Sequence, residues 1–254
     1  MIPIDHRGNT VIVTGGCKGI GAGISKAFAQ AGANVVANYR SDPEGCQAFI
    51  RSLEGEYGVQ GLAVQGDVSQ EDTAAALFDA AQGRFGRVDI LVNNVGSTKT
   101  TYLTEIGDEE WDYYLANNLT AYFLMTREFA RRNIPAGRGG QIVNVLSKAA
   151  FSTTTRGRGC YVANKTGQLG LTRATAVELS GHGIYVNAVV PGFVWTPATR
   201  ALGEEFTKKL HRSPLGRAYG PEELGQAVAF MTSGCCQVMV GSVVDLSGGL
   251  MLGF

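Results

Sequence analysis

Residues 9–32 read NTVIVTGGCKGIGAGISKAFAQAG. Asn9 to Thr14 is a short β-branched run without polar alternation, the pattern of a strand buried on both faces. It passes into Gly15-Gly16-Cys17-Lys18-Gly19-Ile20-Gly21 and then into AGISKAFAQAG, a helical pattern that stops at Gly32. A strand, a glycine turn and a helix start in succession form an anion site, because free backbone N–H groups and the positive end of the helix dipole face one point. The glycine spacing, G-x-x-x-G-x-G through Gly15, Gly19 and Gly21, differs from the standard dinucleotide fingerprint. The strand–turn–helix context therefore carries the reading. Gly15, Cys17, Lys18, Gly19, Ile20 and Gly21 are the expected phosphate contacts.

The same alternation continues outward. Strand patterns recur at 34–39, 62–65, 88–92, 141–147, 184–190 and 242–246, with Pro191-Gly192 breaking the sixth. Helical patterns stand between them: 70–86 with Ser69 as its N-cap, one long helix over 108–133, a helix through Tyr161 to about 181, and another opened by Pro221. The expected fold is a single-domain, doubly wound parallel α/β sheet of about seven strands over residues 1–254, with helices on both faces. Residues 193–219 are irregular, with a helical piece near ALGEEFTKKL, and are long enough to form a lid. No repeat, low-complexity tract or linker divides the chain.

Composition narrows the function classes. The 254 residues are 44% hydrophobic with a net charge of zero, which suits one sizeable core and gives no strong pull toward nucleic acid. No apolar run approaches the ~18 residues of a membrane span, and the first residues lack a signal-peptide layout. Five cysteines without a CxxC pair or Cys/His metal spacing suit reduced thiols in a cytoplasmic protein with no metal site. Cys160 reads as a small packing residue.

The strand ends supply the next candidates. Folds that select an unphosphorylated dinucleotide place an acid at the end of the second strand. Here Tyr39 and Arg40 stand there, and Lys18 is a second cation within the turn. A guanidinium holds a 2′-phosphate that an acid would repel, so the expected cofactor is NADP(H). Asp67, after the third strand, either accepts from an adenine amino group or caps its own turn. Asn93-Asn94-Val95-Gly96 ends the fourth strand, and Asn94 and Gly96 suit close packing against a cofactor. Asn117 and Asn118 fall mid-helix, where an amide on a packed face needs partners.

The chemistry concentrates between Ser147 and Lys165. Ser147 ends the apolar run QIVNVLS, at the strand end where open α/β sheets bind ligands. Tyr161 and Lys165 are four apart and share a helix face. A phenol is a poor acid near neutrality unless a nearby cation stabilises the phenolate, and Lys165 is placed to be that cation. A hydroxyl to grip a carbonyl oxygen, a phenol to protonate it and an ammonium to tune the phenol suit carbonyl reduction.

Six segments in order, TGGCKGIG at 14–21, NNVG at 93–96, NNLT at 117–120, Ser147, YVANK at 161–165 and PGFVWTP at 191–197, make the chain resemble the short-chain dehydrogenase/reductase family over nearly its whole length. The resemblance implies a catalytic tetrad of Asn118, Ser147, Tyr161 and Lys165. In it Asn118 helps hold a proton-relay water and Lys165 also binds the nicotinamide ribose. It further implies that Asp67 and Val68 meet the adenine, that Pro191, Gly192, Val194 and Thr196 lie by the nicotinamide, and that the chain is a homotetramer. Among relatives the general likeness is to 3-oxoacyl-carrier-protein reductases, which dock an acidic acyl carrier protein on surface arginines. Arg138 matches one such place, and His182 stands at the other. Two departures touch the substrate side: Ser147 lies 14 residues before Tyr161, about one more than usual, and the loop STTTRGRG at 152–159 is unusual. The expected entrance is 97–102, 151–158 and 193–212, an aromatic slot of Phe151, Phe193 and Trp195 with a cationic mouth of Lys99, Arg156 and Arg158. Three functions are open: an NADP(H)-dependent ketoreductase, possible substrates including a 3-oxoacyl thioester; a sugar or secondary-alcohol dehydrogenase; and a non-catalytic nucleotide-binding regulator or scaffold.

Overall fold

The computed structural model describes residues 4–153 and 155–252. The ends of the expected 1–254 domain and Thr154 of the 152–159 loop lie outside the described residues. In chain order the elements are β1 (Thr10–Val13), α1 (Gly19–Gln30), β2 (Asn34–Tyr39), α2 (Pro43–Tyr57), β3 (Gly61–Gln65), α3 (Glu71–Phe85), β4 (Ile90–Asn93), α4 (Asp108–Leu115), α5 (Ala121–Asn133) and β5 (Gly140–Val145). Then follow α6 (Gly159–Ser180), β6 (Ile184–Pro191), α7 (Pro197–Arg200), α8 (Glu204–Thr207), α9 (Pro221–Met231) and β7 (Val243–Leu246).

The seven strands are all parallel, in the order β3-β2-β1-β4-β5-β6-β7. Side chains alternate across a pleated strand, and here both faces are covered. Val11 and Val13 pack with Ile24 and Phe28 of α1, Leu53 of α2 and Val228 of α9. Ile12, between them, packs with Phe78 of α3, Phe129 of α5 and Leu179 of α6. This explains the unbroken apolar strands, each such side chain contributing roughly 1.5–3 kcal/mol by leaving water. The order reverses at β1 and β4, so the crevice beyond their carboxyl ends is where a ligand would enter.

Four local expectations change. Helix α2 was not among the helical patterns read above, yet its start is marked: Asp42 accepts from the Gly45 N–H at 3.0 Å, and Pro43 takes the first helical position. Ser69 is not an N-cap. Its hydroxyl donates to Asp67 Oδ1 at 2.7 Å, and Gln70 is the residue before α3. The 108–133 helix contains a π-helical turn at Ala116–Thr120 between α4 and α5, a device frequent at functional sites. Pro191 ends β6 rather than breaking it. Residues 193–219 carry two short helices, α7 and α8, with a 3-10 turn at Leu210–Arg212.

Candidate active site

The glycine turn leads directly into α1. Helix α1 begins without a side-chain cap at Lys18 and without an acid in its first turn, leaving the first N–H groups to a ligand. Gly21 is required there, because a Cβ would stand 2.1 Å from the Gly15 carbonyl oxygen. Thr196 lies against the turn, 3.6 Å from where a Cβ on Gly19 would sit. The 194–196 segment therefore adjoins the phosphate turn. It is anchored there by backbone pairing of Val194 with Tyr219 and by the Thr196–Thr199 capping box.

A cleft of about 270 Å³ opens from this turn past the ends of β2, β3 and β4. Gly15, Cys17, Lys18, Tyr39 and Arg40 line one part of it, and Asp67, Val68, Asn94 and Gly96 another. Gly19, Ile20, Gly21 and the 191–196 residues flank it rather than line it. Lining residues missed by sequence reasoning include Asn38, Ser41, Asp42, Cys46, Gly66 and Ala121. The absence of an acid, used to argue for a 2′-phosphate, is thus incomplete, since Asp42 reaches the cleft. Its carboxylate is spent on capping α2, and the Asp-Pro pair was the signal for it.

Arg40 spans the rim. Its Nη1 donates to Asn117 Oδ1 at 3.2 Å and lies 3.6 Å from Asp67 Oδ2. Asp67 is turned mainly toward its own loop, accepting from the Ser69 N–H at 3.0 Å and its hydroxyl at 2.7 Å. Burial would raise its carboxyl, but these bonds and the Arg40 charge outweigh that and hold it below the usual value. The uncapped helix start, the two rim cations and the close strand ends fit a phosphorylated dinucleotide.

On the other side of Gly96 the tetrad residues come together. Asn118 is fully buried in the π-helical turn, its Oδ1 accepting from the Ser97 N–H at 3.1 Å and its Nδ2 donating to Ser97 O and Tyr114 O. It clamps the loop after β4 to the α4–α5 junction. Its carbonyl accepts from Gln168 of α6 at 2.7 Å. A buried polar ladder continues through Thr172, Asn144 and Asn93, fixing α6 to β5 and β4. Ser147 lies two residues past β5 and caps a 3-10 turn through Ala149 N–H. Tyr161 is in the first turn of α6, one turn before Lys165. Lys165 is buried one turn on, donating to the Val145 carbonyl at 2.9 Å, its ammonium 5.8 Å from the Tyr161 ring and 5.6 Å from that of Tyr122.

The electrostatics correct one expectation. Burial pushes the Tyr161 phenol up from its ordinary value, and the nearby Ser147 hydroxyl and the Arg158 charge only partly offset this. Burial also pushes Lys165 down to about 7. Lys165 is thus near the phenol, as its spacing implied, but desolvation lowers its own affinity for a proton. Cys160 is buried, as expected of a packing residue.

The substrate side is tighter. The space beside Tyr161 is about 10 Å³, lined by Thr98, Tyr114, Gly157 and Cys160 among others. Phe193 and Trp195 both pack on Phe206, with ring centroids 5.7 and 4.9 Å away, while Phe151 is exposed. The expected mouth divides: Lys99 pairs with Glu110 at 2.9 Å, Arg156 is exposed, and Arg158 turns inward over Tyr161. Arg138 donates to the Gly86 carbonyl. Arg138 and His182 lie just before β5 and β6, at the amino-terminal ends of the strands, opposite the carboxyl ends that face the site.

A family model described as enoyl-(acyl carrier protein) reductase matches residues 15–251. The 3-oxoacyl-[acyl-carrier-protein] reductase FabG of Staphylococcus aureus is 33% identical over 244 residues, covering 96% of this chain and 98% of the relative. A short-chain type dehydrogenase/reductase from Mycobacterium marinum superposes with a TM-score of 0.92 at 30% identity, covering 98% of each chain. L-Sorbose reductase from Gluconobacter frateurii, solved with NADPH and L-sorbose, gives 0.92 at 27% identity over the full length of both. The chain belongs to the short-chain dehydrogenase/reductase family. Among the described residues no helix is long and apolar enough to cross a membrane, and no cluster of His, Cys, Asp and Glu could hold a metal ion.

Proposed function

We propose that this NADP(H)-dependent oxidoreductase reduces a ketone to a secondary alcohol, with a 3-oxoacyl thioester as its substrate. The observation that carries the reading is the meeting of Ser147, Tyr161 and Lys165 at the strand ends, against the cleft that suits the dinucleotide. NADPH supplies the hydride when bound. Gly15, Lys18, Arg40, Asn94, Gly96 and Lys165 would hold it. Ser147 donates a hydrogen bond to the substrate carbonyl oxygen, and Tyr161 gives that oxygen its proton. A protonated Lys165 favours the phenolate that results. Asn118 keeps the loop after β4 and the α4–α5 junction in register with these groups and helps hold the relay water that re-protonates them.

The thioester is supported by the likeness to FabG and by the exposed Arg156 at the rim, a cation suited to a phosphopantetheine phosphate. Arg138 gives the carrier-protein reading no support within one protomer, being at the amino-terminal end of β5, away from the site. A sugar or secondary-alcohol substrate is the second reading, favoured by the polar rim of Thr98, Thr101 and the Lys99–Glu110 pair and by the likeness to L-sorbose reductase. Assembly as a homotetramer is supported by exposed Trp111, Tyr113 and Phe123 along α4 and α5 and by Val177 on α6. The test is kcat/KM for a 3-oxoacyl thioester, a neutral ketone of similar size and a ketose, in wild type and Arg156→Ala. A preference for the thioester that Arg156→Ala reduces supports the first reading. A preference for the ketose moves the assignment to the second.

A further inference from the structure

Arg158 is held by more than its own flexibility. Gly157, just before it, has a φ of +70°, a conformation glycine adopts without strain. A Cβ there would also stand 2.8 Å from Thr100 Cγ2. The Thr101 N–H donates to the Gly157 carbonyl at 3.0 Å, tying this loop to the segment after β4. The Arg158 carbonyl accepts from the Val162 N–H at 2.9 Å as α6 begins, and its Nη1 donates to Thr98 Oγ1. The guanidinium carbon lies 5.8 Å from the centre of the Tyr161 ring. Arg158 is half-buried and makes no salt bridge among the described residues.

We propose that Arg158 is a positioning residue for the reaction: fixed over the Tyr161 ring by Gly157 and Thr98, its guanidinium stabilises the phenolate form of the side chain that hands over the proton. The proposal rests on Tyr161 being the proton donor, as above. A phenolate spreads charge into its ring, so a cation over the face gains net Coulomb attraction beyond its interaction with the neutral ring. Arg158 acts beside the other groups that face the phenol. From α6 itself comes Lys165, a second cation whose charged form burial disfavours. From α5 comes Tyr122, buried and un-ionised, and after β5 comes Ser147, a neutral partner. Tyr114, Cys160 and the Lys99–Glu110 pair line the adjoining space, the pair internally neutralised. A guanidinium stays charged across this range, and its charge acts on Tyr161 in the lowering direction.

The experiment uses the intact chain. Phenolate absorbance is titrated as the difference between wild type and Tyr161→Phe, which isolates Tyr161 from the other tyrosines. The same difference is taken in Arg158→Met and Arg158→Lys backgrounds. In parallel, kcat/KM for a secondary alcohol with NADP+ is followed against pH. In Arg158→Met both the Tyr161 titration and the ascending, acid-side limb of the profile move up, on the order of one pH unit for a charge ~6 Å away in an intermediate dielectric. Arg158→Lys restores most of the shift. An unmoved titration in Arg158→Met, or no rescue by lysine, overturns the proposal. Failure of the underlying reading looks different: Tyr161→Phe alone would keep its turnover, whatever Arg158 did to the titration.

Discussion

The candidate cofactor cleft and the pocket beside Tyr161 adjoin where Ser97 of one meets Thr98 of the other, and they are built from different material. The cleft, about 270 Å³, is made of strand ends and the start of α1, whose positions follow from sheet register. The pocket beside Tyr161, about 10 Å³, is made of the 97–101 loop, the Gly157 turn and the start of α6. A sheet places its ends to within the tolerance of its hydrogen bonds, so the chemistry common to many substrates belongs there. Loops tolerate substitution without disturbing the core, so the choice of substrate belongs to them. Tyr161, Ser147 and Lys165 stand on the boundary, supported on the sheet side by the Asn93–Asn144–Thr172 ladder.

The sharpest way to break this division is Tyr161→Phe. Turnover should fall by ~10²–10⁴, the usual worth of a positioned proton donor, while NADPH affinity by fluorescence titration stays near wild type. A large loss of cofactor binding would show that the two regions are not separable. Next is the buried charge on the boundary. Lys165 sits at about 7 in the fold, below its unfolded value, so between about 7 and 10.5 the unfolded chain binds the proton that the folded chain has released. Stability of the cofactor-free protein should therefore rise with pH through that window, by up to about 1.4 kcal/mol per pH unit. Below about 7 the whole cost of the buried ammonium is present. Lys165→Met should flatten the rise in denaturant midpoints, and parallel curves for the two proteins would refute the burial effect. Asn118→Ala tests the clamp between regions: stranding the Ser97 and Tyr114 groups should cost about 2–3 kcal/mol in chemical denaturation. The smallest effect belongs to the rim, where Arg40→Ala should weaken NADPH roughly tenfold and NADH hardly at all. Equal losses for both would show that Arg40 does not read the 2′-phosphate.

The same division decided what could be read from the sequence. The β1–α1 stretch, the parallel sheet and the Tyr161–Lys165 face were legible because buried strands and helical spacing write themselves into local pattern. The cleft residues from Gly15 to Gly96 followed from strand ends. What was not legible depends on packing at a distance. The π-helical turn at Asn118 arises from partners on the loop after β4, and no propensity announces it. The depressed Lys165 is a consequence of burial between Tyr122, Tyr161 and Val145, which spacing alone cannot supply. Arg158 was read as part of a cationic mouth, because the contact that turns it inward involves Thr98, sixty residues away. Helix α2 and its Asp42 cap were legible from Asp-Pro and were overlooked.

The central claim is hydride delivery to a ketone carbon beside Tyr161, and isotope transfer tests it most directly. NADPH deuterated at the nicotinamide C4, in each of its two epimers, is incubated with the protein and a panel of a 3-oxoacyl thioester, a neutral ketone and a ketose, and the products are read by mass spectrometry. One epimer should place a single deuterium on the carbinol carbon of at least one product, and the Tyr161→Phe protein should place almost none. No labelled alcohol from any substrate, or equal labelling by the Tyr161→Phe protein, would contradict the account.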